Sequence, residues 1–318
     1  MRWCRPDCSE GGQQDSGRDG RLEQWPVEKT AETSVRSASD PSAASRDNAG
    51  TLKQASSSHL PEVQFSDEGR IRHLHLDSIW IQGSMDLRDP VRLVHEYVQR
   101  MMAWLLFVEP DSVPQRRAMQ LGLGAGSLTK FCVKMLRMPT TVIELNPGVL
   151  HACRGWFHLP EPGPLLDIVL ADAEQEIQNP KWWGTVDALQ VDLYDHEAAA
   201  PVLDSVDFYA ACRRLLTDNG CMTVNLFGRR ASFQHSVAHM AEAFGSSALW
   251  RFKATREGNT VVLAFKQGVD GADPGALLRD RGSRAVLSAR AEAIEARWGL
   301  PATKWLKGLE PVQAISKL

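Results

Sequence analysis

The chain has 318 residues, 43% of them hydrophobic and 24% charged, with 36 basic against 39 acidic side chains and a net charge of −3. That balance offers no electrostatic footprint for nucleic acid or an anionic membrane, and no apolar run approaches the ~20 residues of a bilayer span. The opening MRWCRPDCSEGGQQ lacks the apolar core of a signal peptide, so a cytoplasmic protein is expected.

Residues 1–60 are rich in Ser, Gly, Asp, Gln and Arg and poor in bulky apolar groups. Too little apolar surface is on offer there to offset the entropy of ordering, so a disordered extension is expected. Order is expected from Val63, where VQFSDEGRIRHLHLDSIWIQGSM alternates apolar and polar residues around Gly69 as a β-hairpin does. Asp89-Pro90 then opens an amphipathic helix through Val91, Val94, Tyr97, Val98, Met101 and Met102, with proline at a favoured first-turn position. This N-terminal element spans residues 61–110.

Over residues 111–268 strands and helices alternate. A strand over 119–123 runs into Gly122-Leu123-Gly124-Ala125-Gly126 and a helix, and a second strand ends at Glu144. A helix over 147–157, a strand over 165–170 ending at Asp172, a strand over 188–191 ending at Asp192 and a helix over 205–216 follow. The Asp218-Asn219-Gly220 turn leads to a strand over 221–226 and a helix over 231–244. Strands over 249–254 and 260–265, joined by Glu257-Gly258-Asn259, close the series. Such alternation means a parallel sheet with helices on both faces, and the last turn adds an antiparallel hairpin at one edge. Residues 269–318 read as loop plus one helix over 283–298, with no legible motif.

A glycine turn with a carboxylate about twenty residues on is how Rossmann-type folds hold a nucleoside, because the glycines admit the ligand to the backbone and the acid accepts from the ribose. A dinucleotide fingerprint wants a third glycine where Ser127 stands, and the turn lacks a basic residue for a pyrophosphate. The G-x-G-x-G turn (Gly122, Gly124, Gly126), Glu144, and Asp172-Ala173 placed toward an adenine amino group point instead to an S-adenosylmethionine-type site. The fold class is therefore α/β, a methyltransferase-type sheet with a small N-terminal β-element. Beyond it, Asp192-Leu193-Tyr194-Asp195 offers two carboxylates three residues apart. They suit a cationic substrate whose amine must lose a proton before attacking; an ordinary exposed turn with two acids is the plainer alternative.

In order and spacing these motifs resemble the spermidine synthase (polyamine aminopropyltransferase) family over residues 63–266. The resemblance rests on Leu76-Asp77-Ser78 with Gln82, His95-Glu96, the glycine turn, Glu144-Leu145-Asn146, Asp172-Ala173 and Asp192-Leu193-Tyr194-Asp195. Phe208-Tyr209 and Asp218-Asn219-Gly220 also fit. It implies that Gln82, Glu144 and Asp172 bind the nucleoside, that Asp192 is the base, and that Asp195 holds the diamine. His95, Glu96 and Tyr209 would line the acceptor pocket. It further implies transfer of an aminopropyl group from decarboxylated S-adenosylmethionine to an amine such as putrescine, with no metal, and a homodimer if the family's usual pairing holds. The sequence departs from the family at Ala125, where an aspartate is usual, at Val94 before His95, at Asn146, and in lacking a proline after Asp195. Ala125 keeps open an S-adenosylmethionine-dependent methyltransferase, since an aspartate there would repel the carboxylate of the intact cofactor. A homologue that binds nucleoside without turnover is the third reading.

Six cysteines, at positions 4, 8, 132, 153, 212 and 221, include no pair at zinc or redox spacing and are expected as reduced, mostly buried thiols. His73 and His75 alternate on a strand with no third ligand nearby, so no metal is expected. Trp182, Trp183 and Trp250 read as packing or rim residues.

Overall fold

The computed structural model describes residues 36–37, 60–194, 203–227, 230–267 and 280–312. Of the extension expected over 1–60, only Arg36–Ser37 and Leu60 fall among them. Arg36–Ser37 (β1) pairs antiparallel with Val63–Glu68 (β2), which pairs with Ile71–Leu76 (β3), itself paired with Gly83–Asp86 (β4). The hairpin turns at Gly69, whose φ of 58° is one that glycine adopts without strain.

The second sheet has eight strands. Its five parallel members are Ala118–Leu121 (β5), Thr140–Glu144 (β6), Leu166–Leu170 (β7), Val186–Val191 (β8) and Leu216–Phe227 (β9). Leu249–Arg251 (β10), Asn259–Phe265 (β11) and Glu310–Pro311 (β12) complete it, in the order β12-β10-β11-β9-β8-β5-β6-β7. β11 runs antiparallel to β9, as the expected edge hairpin requires. Strands β5 and β6 are buried throughout, which is what a parallel sheet covered on both faces demands.

The helices are Glu96–Arg100 (α1), Ser127–Lys130 (α2), Pro147–Trp156 (α3), Ala173–Glu176 (α4), Val206–Leu215 (α5), Arg230–Phe244 (α6), Arg281–Trp298 (α7) and Ala302–Gly308 (α8). One face of the sheet packs on the run 101–108 with α7 and α8. The other packs on α4, α5 and α6. A third cluster joins the N-terminal sheet to α3 through Phe65, Leu74 and Phe157.

Three expectations need correction. The long helix from Pro90 is only α1, followed by the 3-10 turn Ala103–Phe107. The Met101 carbonyl accepts from Thr223 Oγ1 (3.1 Å) and Gln190 Nε2 (3.4 Å) instead of from a helical amide, so side chains of β9 and β8 end the helix. The turn expected at 218–220 is a bulge within β9. Val186 pairs with Leu216 but Ala188 with Cys221, and Asp187 holds the excess residues through Thr217 Oγ1 (3.1 Å). The C-terminal part carries α8 and the edge strand β12 as well as the expected helix. Trp305 of α8 is buried in the same core as Trp104, so this segment belongs to the domain.

Four described cysteines, 132, 153, 212 and 221, are free and buried. The run 101–108 faces the chain's own core, which accounts for its apolar character without a second copy. Trp182 and Trp250 are buried, and Trp183 lies under the Arg214 guanidinium. No described helix is long and apolar enough to cross a membrane.

Candidate active site

Strand order reverses between β5 and β8, so the loops leaving their carboxyl ends diverge and open a crevice, the usual ligand position in an open α/β sheet. The register across this point is locked by Gln120 of β5, whose Nε2 donates to Gln190 Oε1 of β8 at 2.8 Å in the buried interior.

The glycine turn fills the crevice floor. Gly122 has φ 89°, and a Cβ there would sit 2.5 Å from the Asp192 carbonyl oxygen. At Gly124, with φ 51°, a Cβ would sit 2.9 Å from the Gln82 carbonyl oxygen. The turn is thus wedged between Gln82 and Asp192, and only glycine permits both approaches. Gly126 is the left-handed N-cap of α2. From α3, the Cys153 thiol donates to the Gly124 carbonyl at 3.0 Å, and burial pushes that thiol up to about 12, keeping the proton the bond needs.

Glu144, 8% exposed at the end of β6, accepts from the Leu123 amide on Oε2 (2.9 Å) and from the Asn146 amide on Oε1 (2.7 Å). Burial raises its carboxyl, and the amide bonds from Asn146, Leu123 and Leu145 work against that rise. Three amides against the four lone pairs of a carboxylate leave one for a ligand hydroxyl. On the neighbouring strand end, Asp172 caps α4 by accepting from the Glu174 amide at 2.8 Å, with Ala173 buried behind it. The structure therefore gathers Gln82, Gly122, Gly124, Gly126, Glu144, Asp172 and Ala173 along one rim.

The side of the crevice at the end of β8 is built from side chains. Asp192 follows β8, and although the residue as a whole is only partly buried, its carboxyl group is withdrawn from solvent. Burial pushes it up to about 6, while hydrogen bonds from Asn225 (2.9 Å) and Tyr97 hold it down. Tyr97, whose hydroxyl is raised by burial and then by the Asp192 charge, donates to that carboxylate. Asn225 on β9 is set in turn by Asn259 of β11, whose Nδ2 donates to Asn225 Oδ1 at 3.1 Å. Two polar side chains distant in sequence, Tyr97 and Asn225, thus meet one carboxyl group, with Asn259 behind the second.

His95 stacks on Tyr97 (5.8 Å between centroids, 21° between planes), and its Nε2 lies 2.6 Å from Ser84 Oγ. Burial and then the neighbouring His73 lower its pKa, so the ring is neutral at pH 7. Two expected pocket residues are elsewhere. Glu96 is exposed and pairs with Arg100 at 2.6 Å, while Tyr209, 1% exposed, donates to Asp204 at 2.8 Å in the α5–α6 packing. Asp195 lies outside the described residues. His73 and His75 bond Ser84 Oγ (2.7 Å) and Ser66 Oγ (2.8 Å).

The departures at Ala125 and Asn146 have structural uses. Ala125 is 3% exposed and packs so closely on β4 that a Cβ on Gly83 would come within 2.7 Å of its nitrogen. Asn146 caps α3, accepting from the Gly148 amide (2.8 Å) and donating to the Pro61 carbonyl (2.9 Å). Sequence reasoning placed Tyr97 only on a helix face and Asn259 only in a turn, and passed over Asn225. The available signal was Asn225, a polar residue set between Val224 and Leu226 in the strand leading to Phe227.

No family model matches the chain. Among solved structures, it resembles a probable spermidine synthase from Corynebacterium glutamicum (TM-score 0.60, 18% identity, 86% of this chain and 99% of that one). It also resembles human methyltransferase-like protein 13 in complex with SAH (0.53, 17%, 70% and 98%). These likenesses establish the fold that the glycine turn and strand order imply. At the level of sequence, the chain is 33% identical to a polyamine aminopropyltransferase of Chromobacterium violaceum over 242 residues, 76% of this chain and 86% of the relative. It is 32% identical to that of Neisseria meningitidis over 254 residues, 80% and 90% of the two chains. At this identity over most of both lengths, the chain belongs to the polyamine aminopropyltransferase family.

Proposed function

We propose that this protein transfers the aminopropyl group of decarboxylated S-adenosylmethionine to a small diamine of the putrescine type. The observation that carries the reading is Asp192, a carboxyl group lifted to about 6 and held by Asn225 and Tyr97 beside the glycine turn. A diamine arrives protonated and has no free lone pair. A carboxylate with this affinity for protons takes one from the attacking ammonium while remaining mostly ionised at neutral pH. The freed nitrogen attacks the carbon beside the sulfonium, the C–N bond forms, and the C–S bond breaks with its electron pair staying on sulfur. Methylthioadenosine leaves as a neutral thioether, so the leaving group needs no metal ion.

In this reading Glu144 accepts from a ribose hydroxyl, Asp172 and Ala173 face the adenine, and Gln82 with the three glycines forms the wall. His95 supports Tyr97 by stacking, and Asp195 takes the distal ammonium. Glu96 and Tyr209 have the contacts of supporting residues rather than of pocket walls. The four buried free thiols suit a reducing cytoplasm.

Ala125 favours a second reading, a methyltransferase using the intact cofactor. The aspartate that would meet the aminopropyl ammonium is replaced by a methyl group packed under β4. Calorimetry with S-adenosylmethionine, its decarboxylated form and methylthioadenosine separates the two. Tighter binding of the decarboxylated form supports aminopropyl transfer, and preference for the carboxylated form overturns it.

A further inference from the structure

We propose that Asp204, His235 and His239 form a binding site for one divalent transition-metal ion of the zinc type, apart from the nucleoside crevice. His235 and His239 stand one helical turn apart on α6, so their imidazoles project from the same face, with ring centroids 4.1 Å apart. Asp204, just before α5, brings a carboxylate to that face, and one ligand atom from each residue lies within 4.8 Å of the others. Two imidazoles and a carboxylate are a donor set of borderline softness, the kind that zinc and its neighbours take in preference to calcium or magnesium.

The surroundings already have the form of an outer ligand shell. His239 Nδ1 lies 2.9 Å from the Asp204 carbonyl oxygen, which can only accept, so the proton sits on Nδ1 and the Nε2 lone pair is left for an ion. An imidazole that gives its other N–H to a backbone carbonyl is the arrangement metal-bound histidines adopt. The Asp204 carboxylate is oriented by Tyr209 on one oxygen (2.8 Å) and by Ser236 on the other (2.8 Å). Each oxygen keeps a lone pair. Zn–N bonds of about 2.0–2.1 Å bring two ligand atoms to within about 4.2 Å of each other, which a small rotation of the exposed His235 ring supplies. Three protein ligands leave a fourth position for water. The ion would tie α6 to the connection between β8 and α5, the connection that leaves Asp192.

The test uses the full-length protein stripped with chelator and titrated with cobalt(II), then zinc(II). The expected result is one cobalt per chain with visible d–d bands of nitrogen and oxygen ligation, displaced by zinc, and a melting temperature that rises with zinc. His235→Ala and His239→Gln should each weaken binding by about tenfold or more. His235 is exposed, so H235A should melt like the wild type when metal-free, which separates loss of a ligand from loss of the fold. The proposal is overturned if the wild type binds no cobalt. It is equally overturned by a sulfur-to-cobalt charge-transfer band or by unchanged affinity in the H235A/H239Q double variant.

Discussion

The two sides of the crevice are held by different kinds of interaction. On the glycine-turn side, backbone geometry does the work: three glycines with positive φ, backbone amides donating to Glu144 and a thiol donating to the Gly124 carbonyl. On the side at the end of β8, Tyr97 and Asn225 meet Asp192 through side chains alone, with Asn259 behind Asn225. A backbone cradle binds whatever nucleoside fits and tolerates little substitution. A side-chain network leaves the fold in place when altered, and it sets proton affinity directly.

Breaking the backbone side should have the largest effect. Gly122→Ala sets a methyl 2.5 Å from the Asp192 carbonyl at a φ of 89°, so the turn or β8 must move. Methylthioadenosine affinity, read by calorimetry, should fall by about 100-fold or more, the equivalent of about 3 kcal/mol. Wild-type affinity in this variant would mean that the turn does not cradle the ligand.

Sharpening the comparison means altering the other side without touching the first. Asn225→Ala removes a bond that lowers the Asp192 pKa, so the acidic limb of the kcat/KM profile should move upward from about 6. kcat should fall about 10–100-fold, while nucleoside affinity stays within a few-fold. Tyr97→Phe should do the same to a lesser degree, since its bond is the smaller lowering influence. Equal loss of nucleoside affinity in both variants would erase the distinction between the two sides.

Stability should carry a smaller signature of the same carboxyl group. Its pKa is about 6 in the folded chain against a usual 3.8, so below pH 4 it is protonated in both states and contributes nothing. Between pH 4 and 6 the unfolded chain releases the proton while the folded chain retains it, and stability falls; above pH 6 the penalty is complete. Asp192→Asn should therefore stabilise the fold by about 1–3 kcal/mol at pH 8 and by almost nothing at pH 4, measured by denaturant unfolding. A gain of equal size at both pH values would place the effect in packing.

What could be read from residues alone divides along the same line. Gly122, Glu144 and Asp172 stand at strand ends with fixed spacing, because a parallel sheet puts ligand contacts at its carboxyl edge whatever the rest of the chain does. Tyr97 meets Asp192 where α1 ends against β8 and β9, the Met101 carbonyl accepting from Thr223 and Gln190. Periodicity carries no trace of such a tertiary bond, so the helix expected through 102 ran too long. The family motif placed Glu96 and Tyr209 in the pocket, yet one bonds Arg100 and the other Asp204. β12 escaped notice because two residues completing a sheet edge have no period at all.

The role of Asp192 itself is most directly tested by single-turnover transfer from decarboxylated S-adenosylmethionine to putrescine in the Asp192→Asn protein. If Asp192 relieves the attacking amine of its proton, the rate should drop by about 100- to 10,000-fold at pH 8, with methylthioadenosine affinity within a few-fold of wild type. A rate within a few-fold of wild type would remove Asp192 from the chemistry.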